Sequence, residues 1–131
     1  MAAGLGPILL NVLFQGVMVG FSEEMVFRPA VHLPLGLQMI RKDGMAPPSG
    51  GRRSVLSPAM LVTALLFGLY HMTNVAFGAP VIAAAAQSAF AAFIGLLLGF
   101  YYERSRDYIG AAVLHNALDV SGYLAALLVA R

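Results

Sequence analysis

VMVGFSEEMVFRPAV, residues 17–31, sets two adjacent carboxylates, Glu23 and Glu24, and the guanidinium of Arg28 inside an otherwise apolar run. The run belongs to a longer hydrophobic segment, from about Pro7 to Ile40. A charged side chain at bilayer depth costs roughly 2.5–3.5 kcal/mol on insertion scales, so ionisable groups kept there are functional candidates. The whole chain of 131 residues carries only eight basic and six acidic side chains, so three within one helix-length stretch need a reason. Two further polar knots lie downstream, at His71 and at His115-Asn116-Ala117-Leu118-Asp119, each flanked by apolar sequence.

Working outward, apolar residues make up 60% of the chain and its mean hydropathy is +0.80. A soluble domain has about 45–50% apolar residues. Four segments can each supply the ~20 apolar residues a membrane crossing needs. The first, to Ile40, is longer than one crossing and contains Pro29 and Pro34, which predict a kink. The second runs from about Ser57 to Asn74, with Ser57 as N-cap and Pro58 at the first helical position. The third runs from about Pro80 to Tyr102 and ends in aromatics suited to a membrane interface. The fourth runs from about Tyr108 to Val129. The expected fold is therefore all-α, an integral membrane bundle of about four transmembrane helices with the first kinked. Residues 1–131 form a single domain, either a minimal protein or the C-terminal core of a longer one.

Residues 41–54 read as a basic loop, with Pro47, Pro48, Gly50 and Gly51 for turns and Arg41, Lys42, Arg52 and Arg53 for charge. Four crossings put this loop and the Arg104/Arg106 turn on one side, leaving Arg131 on the other. The positive-inside rule makes the basic side cytoplasmic and both termini external. Gly95 and Gly99, with Ala83 to Ala86, allow close helix packing in lipid. Gln87, Asn11 and Gln15 read as interhelical hydrogen-bond groups, and His32, between Pro29 and Pro34, as a kink or interface residue. The basic residues form no cluster interleaved with aromatics, so a nucleic-acid surface is not expected. Cys is absent, which excludes disulfides and thiolate chemistry. Met1 to Gly6 carry no basic region of the kind that opens a cleaved signal. Oligomeric state has no signature in the sequence.

On a regular helix Glu24 and Arg28 are four residues apart and meet, with the acid N-terminal to the base as preferred. Glu23 then points about 100° away without a cation in its own segment. Glu24 would lock Arg28, and Glu23 would remain available as a base. His115 and Asp119 share a face of the fourth helix by the same spacing. A carboxylate, a histidine and a His/Asp pair thus occupy three of four helices. As isolated features each also fits interhelical hydrogen bonding or an ion-paired interface.

In order along successive hydrophobic helices, the chain carries Glu-Glu-x-x-x-Arg, Phe-x-x-x-His and His-x-x-x-Asp. This series resembles the CAAX-processing and bacteriocin-processing (CPBP) intramembrane proteases, the type II CAAX prenyl endopeptidase-like or Abi group, over roughly Val19 to Ala125. The resemblance implies an intramembrane endopeptidase of a bacterial or archaeal plasma membrane. It implies that Glu23 and His71 activate water, that Glu24 pairs with Arg28, and that His115 and Asp119 match the positions stabilising the oxyanion. The implied partners are the lipid bilayer and a peptide or prenylated peptide.

Two positions depart from the resemblance. Pro29 follows Arg28 where many relatives resemble Arg-Gly. Asp119 stands where an Asn could donate a hydrogen bond, and an ionised Asp would repel an oxyanion. It must act protonated, or by orienting His115. No cofactor is required on this reading. Glu23, His71 and His115 are also ligand types for Zn²⁺ with one position left for water, although the His-Glu-x-x-His zincin helix is missing. The competing functions are a non-catalytic membrane scaffold or immunity protein that uses the polar cluster for packing, and a proton-coupled transport component.

Overall fold

The computed structural model describes residues 5–42 and 56–129. Among those residues every regular element is helical and there is no strand. Four helical runs are long and apolar enough to cross a membrane: Leu5–Met39, Pro58–Phe77, Val81–Ser105 and Tyr108–Val129, of 35, 20, 25 and 22 residues. Burial is inverted relative to a soluble protein. Leu10, Leu65, Phe93 and Val113 are each more than half exposed, while Glu24, Arg28 and Thr63 are fully buried. That distribution suits a hydrocarbon solvent, in which exposed leucine costs nothing and polar groups must find partners inside.

The first run comprises α1 (Leu5–Leu13), a π-helical turn (Phe14–Val19), α2 (Gly20–Met25), a second π-helical turn (Val26–His32) and α3 (Leu33–Lys42). Pro29 sits inside the second π turn. Proline has no N–H for the helical ladder, and a widened turn is one way a helix accommodates that loss. Pro34 is the second residue of α3, directly after that turn. Of the expected loop 41–54, Arg41 and Lys42 belong to α3 and residues 43–54 lie outside the described residues. α4 (Pro58–His71) starts as its sequence predicts: Pro58 is in the first turn and the Met60 N–H donates to Ser57 Oγ at 3.0 Å. It tightens into a 3₁₀ turn over Met72–Phe77, immediately after His71. α5 (Val81–Ser105) and α6 (Tyr108–Val129) follow. Asp107 Oδ1 caps α6, accepting from the N–H groups of Ile109 and Gly110 at 3.0 Å each.

The helices group into two compact units. The first holds residues 5–26 and 107–129, and packs α2 and the preceding π turn on α6. Small residues line that contact: Gly20, Ala111 and Ala112 are all buried. The second holds residues 27–42 and 56–106, and is built on α4 against α5. These two helices run antiparallel, with Gly68 against Ala92, Gly95 against Ala64 and Gly99 against Met60. Phe27 packs edge-on against Phe67, ring centroids 4.9 Å apart. Gln87 is an interhelical hydrogen-bond group as its sequence context predicts, accepting from Asn74 Nδ2 at 2.9 Å.

Gly68 sets the closest approach in the second unit. A Cβ there would lie 2.7 Å from Ala92 Cβ and 2.7 Å from the Ser88 carbonyl oxygen, and Ser88 Oγ donates to the Gly68 carbonyl at 2.6 Å. Backbone cannot swing aside as a side chain can. Gly68→Ala is therefore expected to destabilise the protein by about 1–3 kcal/mol, the usual range for overpacking. Its thermal unfolding midpoint in detergent, measured beside wild type, checks this.

Candidate active site

Within the first unit, α2 and α6 bring four of the six expected site residues together. Glu23 and Glu24 leave α2 one turn beyond Gly20, and His115 and Asp119 leave α6 one turn apart. His115 is the hub. Its Nδ1 lies 3.3 Å from Glu24 Oε1, and its Nε2 lies 3.7 Å from Glu23 Oε2 and 3.6 Å from Asp119 Oδ2. The three carboxylates differ in access: the Glu24 side chain is fully buried, Glu23 is 16% exposed and Asp119 is 28% exposed. One imidazole is thus bracketed by a buried acid on one nitrogen and by two more accessible acids on the other. Such a set can hold a proton and pass it between groups, and can orient the ring through the buried member. The helical spacing accounts for the His115/Asp119 pair. The meeting of that pair with the two glutamates is a tertiary fact that spacing alone does not contain.

Arg28, the fifth expected residue, belongs to the second unit. It is fully buried, and Nη2 donates to the Gly95 carbonyl at 3.4 Å. A Cβ on Gly99 would stand 3.4 Å from Arg28 Nη1. Gly95 and Gly99, which read in the sequence as a packing motif, therefore also make room for a guanidinium. The expected pairing of Glu24 with Arg28 spans the boundary between the units.

His71, the sixth, also lies in the second unit, at the last residue of α4 and part-buried. Its Nδ1 is 2.9 Å from the Phe67 carbonyl. A carbonyl only accepts, so Nδ1 carries the hydrogen and neutral His71 presents Nε2 as its lone-pair nitrogen. The rings of Phe67 and Tyr70 flank the imidazole at 5.0 and 5.6 Å between centroids. Phe-x-x-x-His is thus a motif in which the first residue orients the last through both its carbonyl and its ring.

His32 corrects its sequence reading in part. It ends the π turn containing Pro29, but it is buried instead of interfacial, with Nε2 3.0 Å from Glu103 Oε1 and its ring edge-on to Tyr102. The same carboxylate oxygen accepts from Ser57 Oγ. The cluster ties the start of α4, the end of α5 and the start of α3, a structural task. Sequence reasoning also passed over Gly20 and Asn116: the Gly20 N–H donates to Asn116 Oδ1 at 2.7 Å. The available signals were a glycine three residues before the glutamate pair and an asparagine beside His115. Among the described residues, no group of three His, Cys, Asp or Glu side chains is arranged to hold a metal ion.

A model of the family described as Type II CAAX prenyl endopeptidase Rce1-like matches residues 5–121, nine-tenths of the chain. No curated protein and no solved structure matches it. The match takes in the glutamate pair, both histidines of the motif series and Asp119; it covers the first three membrane-length helices and enters the fourth. This chain is an integral membrane protein and belongs to the Type II CAAX prenyl endopeptidase Rce1-like family.

Proposed function

We propose that the protein is an intramembrane endopeptidase that hydrolyses a peptide bond near the end of a membrane-associated peptide, with a prenylated CAAX-type peptide as the first candidate substrate. The observation that carries this reading is the gathering of Glu23, Glu24 and Asp119 around His115, on helices with membrane-spanning character. Ionisable groups buried in a bilayer are costly, and those kept there mark candidate functional sites. Family membership supports the reaction class.

On this proposal Glu23 and His71 hold a water molecule, and Glu23 takes its proton as the oxygen attacks the peptide carbonyl carbon. The carbonyl oxygen becomes an oxyanion, which the His115 N–H stabilises, with Asp119 orienting His115 or acting protonated. A positioned donor of this kind contributes up to about 3–4 kcal/mol. The C–N bond then breaks as the proton held by Glu23 passes to the leaving nitrogen. The new carboxyl group gives up the second proton of the water, the amine takes one up, and a carboxylate and an ammonium are released. Glu24 holds His115 from its Nδ1 side, and Arg28 ties the second π turn to the Gly95 carbonyl. The reading keeps the basic side of the chain in the cytoplasm.

The test is incubation of the purified protein in liposomes with farnesylated and unprenylated peptides of one sequence, the products being read by mass spectrometry. Cleavage at one bond, faster for the prenylated peptide, is the expected result. Absence of cleavage across a peptide library would favour a packing role for the cluster. Hydrolysis is expected to survive a chelator. Loss that added zinc restores would transfer the reaction to a Zn²⁺ site of Glu23, His71 and His115.

A further inference from the structure

Glu23 and Glu24 work on His115 only if α2 keeps one rotation and one height against α6. We infer that Asn116 is a positioning residue that sets this register by clamping the backbone of the glutamate-bearing helix; the inference rests on the peptidase reading above. Its carboxamide makes two contacts with main chain at the junction of the first π turn and α2. Oδ1 accepts from the Gly20 N–H at 2.7 Å, and Nδ2 donates to the Val17 carbonyl at 3.4 Å. The partners fix the orientation of the amide, since an N–H can only donate and a carbonyl can only accept.

Three features make the clamp specific to the site. Gly20 lies three and four residues before Glu23 and Glu24, so all three share one face of α2. Asn116 is the immediate neighbour of His115, so the clamp and the hub move together on α6. Contact this close also requires a glycine, because a Cβ at position 20 would fall 2.5 Å from Asn116 Oδ1 and 2.9 Å from His115 Cβ. A slip of one residue turns α2 by about 100° and shifts it by ~1.5 Å, which breaks both contacts at once and carries the glutamates away from the imidazole. The change of helical repeat at Gly20 is where the clamp bites, and π-helical irregularities often accompany functional sites.

The chain has no cysteine among its residues, so the register can be read by disulfide cross-linking without background. Gly16 faces Val120, with a Cβ at 16 lying 3.4 Å from Val120 Cγ2, and Gly16→Cys with Val120→Cys reports the alignment of the π turn on α6. Asn116→Ala is expected to slow this cross-link several-fold and, on a cleavable peptide, to lower kcat roughly 10²-fold with KM little changed, the scale of a mispositioned catalytic group. A wild-type cross-linking rate in Asn116→Ala would overturn the clamp, whatever the activity. So would a kcat loss without a change in cross-linking. A rise in KM and a fall in unfolding midpoint that track the kcat loss would overturn it as well, reducing Asn116 to ordinary packing. If wild type cleaves no peptide, the peptidase reading fails separately, and the cross-linking pair alone decides whether Asn116 sets the register.

Discussion

Glu23→Gln is expected to abolish peptide hydrolysis while leaving the protein folded, and it is the largest functional effect the site predicts. The substitution preserves shape and removes the one property the proposed mechanism uses, the ability to take a proton from water. General-base assistance of this kind contributes roughly 10²–10⁴-fold, so residual turnover below about one-hundredth of wild type is the expected range. Stability is expected to change little. The Glu23 side chain is 16% exposed, and glutamine keeps its size and shape. Glu24→Gln provides the contrast. That side chain has no exposure and stands 3.3 Å from His115 Nδ1, so its substitution is expected to lower the unfolding midpoint as well as the rate. Parallel rate and thermal-unfolding measurements separate the two glutamates. Equal loss of stability in both variants would contradict the division of roles.

Arg28→Ala carries the largest expected cost in stability. The side chain is fully buried, its guanidinium donates to the Gly95 carbonyl, and Gly99 leaves the space its head occupies. Truncation leaves a cavity the length of the arginine stem and takes away a donor from a buried carbonyl. Large-to-alanine changes in a packed interior cost about 2–5 kcal/mol, which sets the expected range. Arg28→Met refills the stem and is expected to recover part of that loss. Arg28→Lys is expected to recover less than its charge suggests, because an ammonium cannot reproduce the planar fork. Unfolding midpoints of the three variants in one detergent check the order. An alanine variant as stable as wild type would show that Arg28 is dispensable to the second unit.

The fold was legible because membrane crossings are a property of composition over about twenty residues, and four such stretches stand clear in this chain. Ser57-Pro58 marked the start of α4 because capping chemistry is local. Tyr108–Val129 was bounded correctly for the same reason, with Asp107 available to cap it. Pro29 and Pro34 signalled an irregularity, but not that it takes the form of a π turn ending just before α3. The candidate site was legible as residue types in order. Its assembly was not: the approach of both glutamates to His115 spans more than ninety residues of sequence. The Gly20–Asn116 contact and the burial of Arg28 against Gly95 were hidden likewise, because a glycine's importance lies in what its missing Cβ lets approach.

The most direct test of the central claim is hydrolysis of a farnesylated peptide in heavy-oxygen water, by wild type and by Glu23→Gln reconstituted side by side. The account predicts that wild type releases a product whose new carboxylate carries the heavy oxygen, and that the variant, folded to the same extent, releases it at less than about one-hundredth of that rate. Labelled product from the Glu23→Gln protein at the wild-type rate would contradict it, since water would then be activated without the residue on which the mechanism depends.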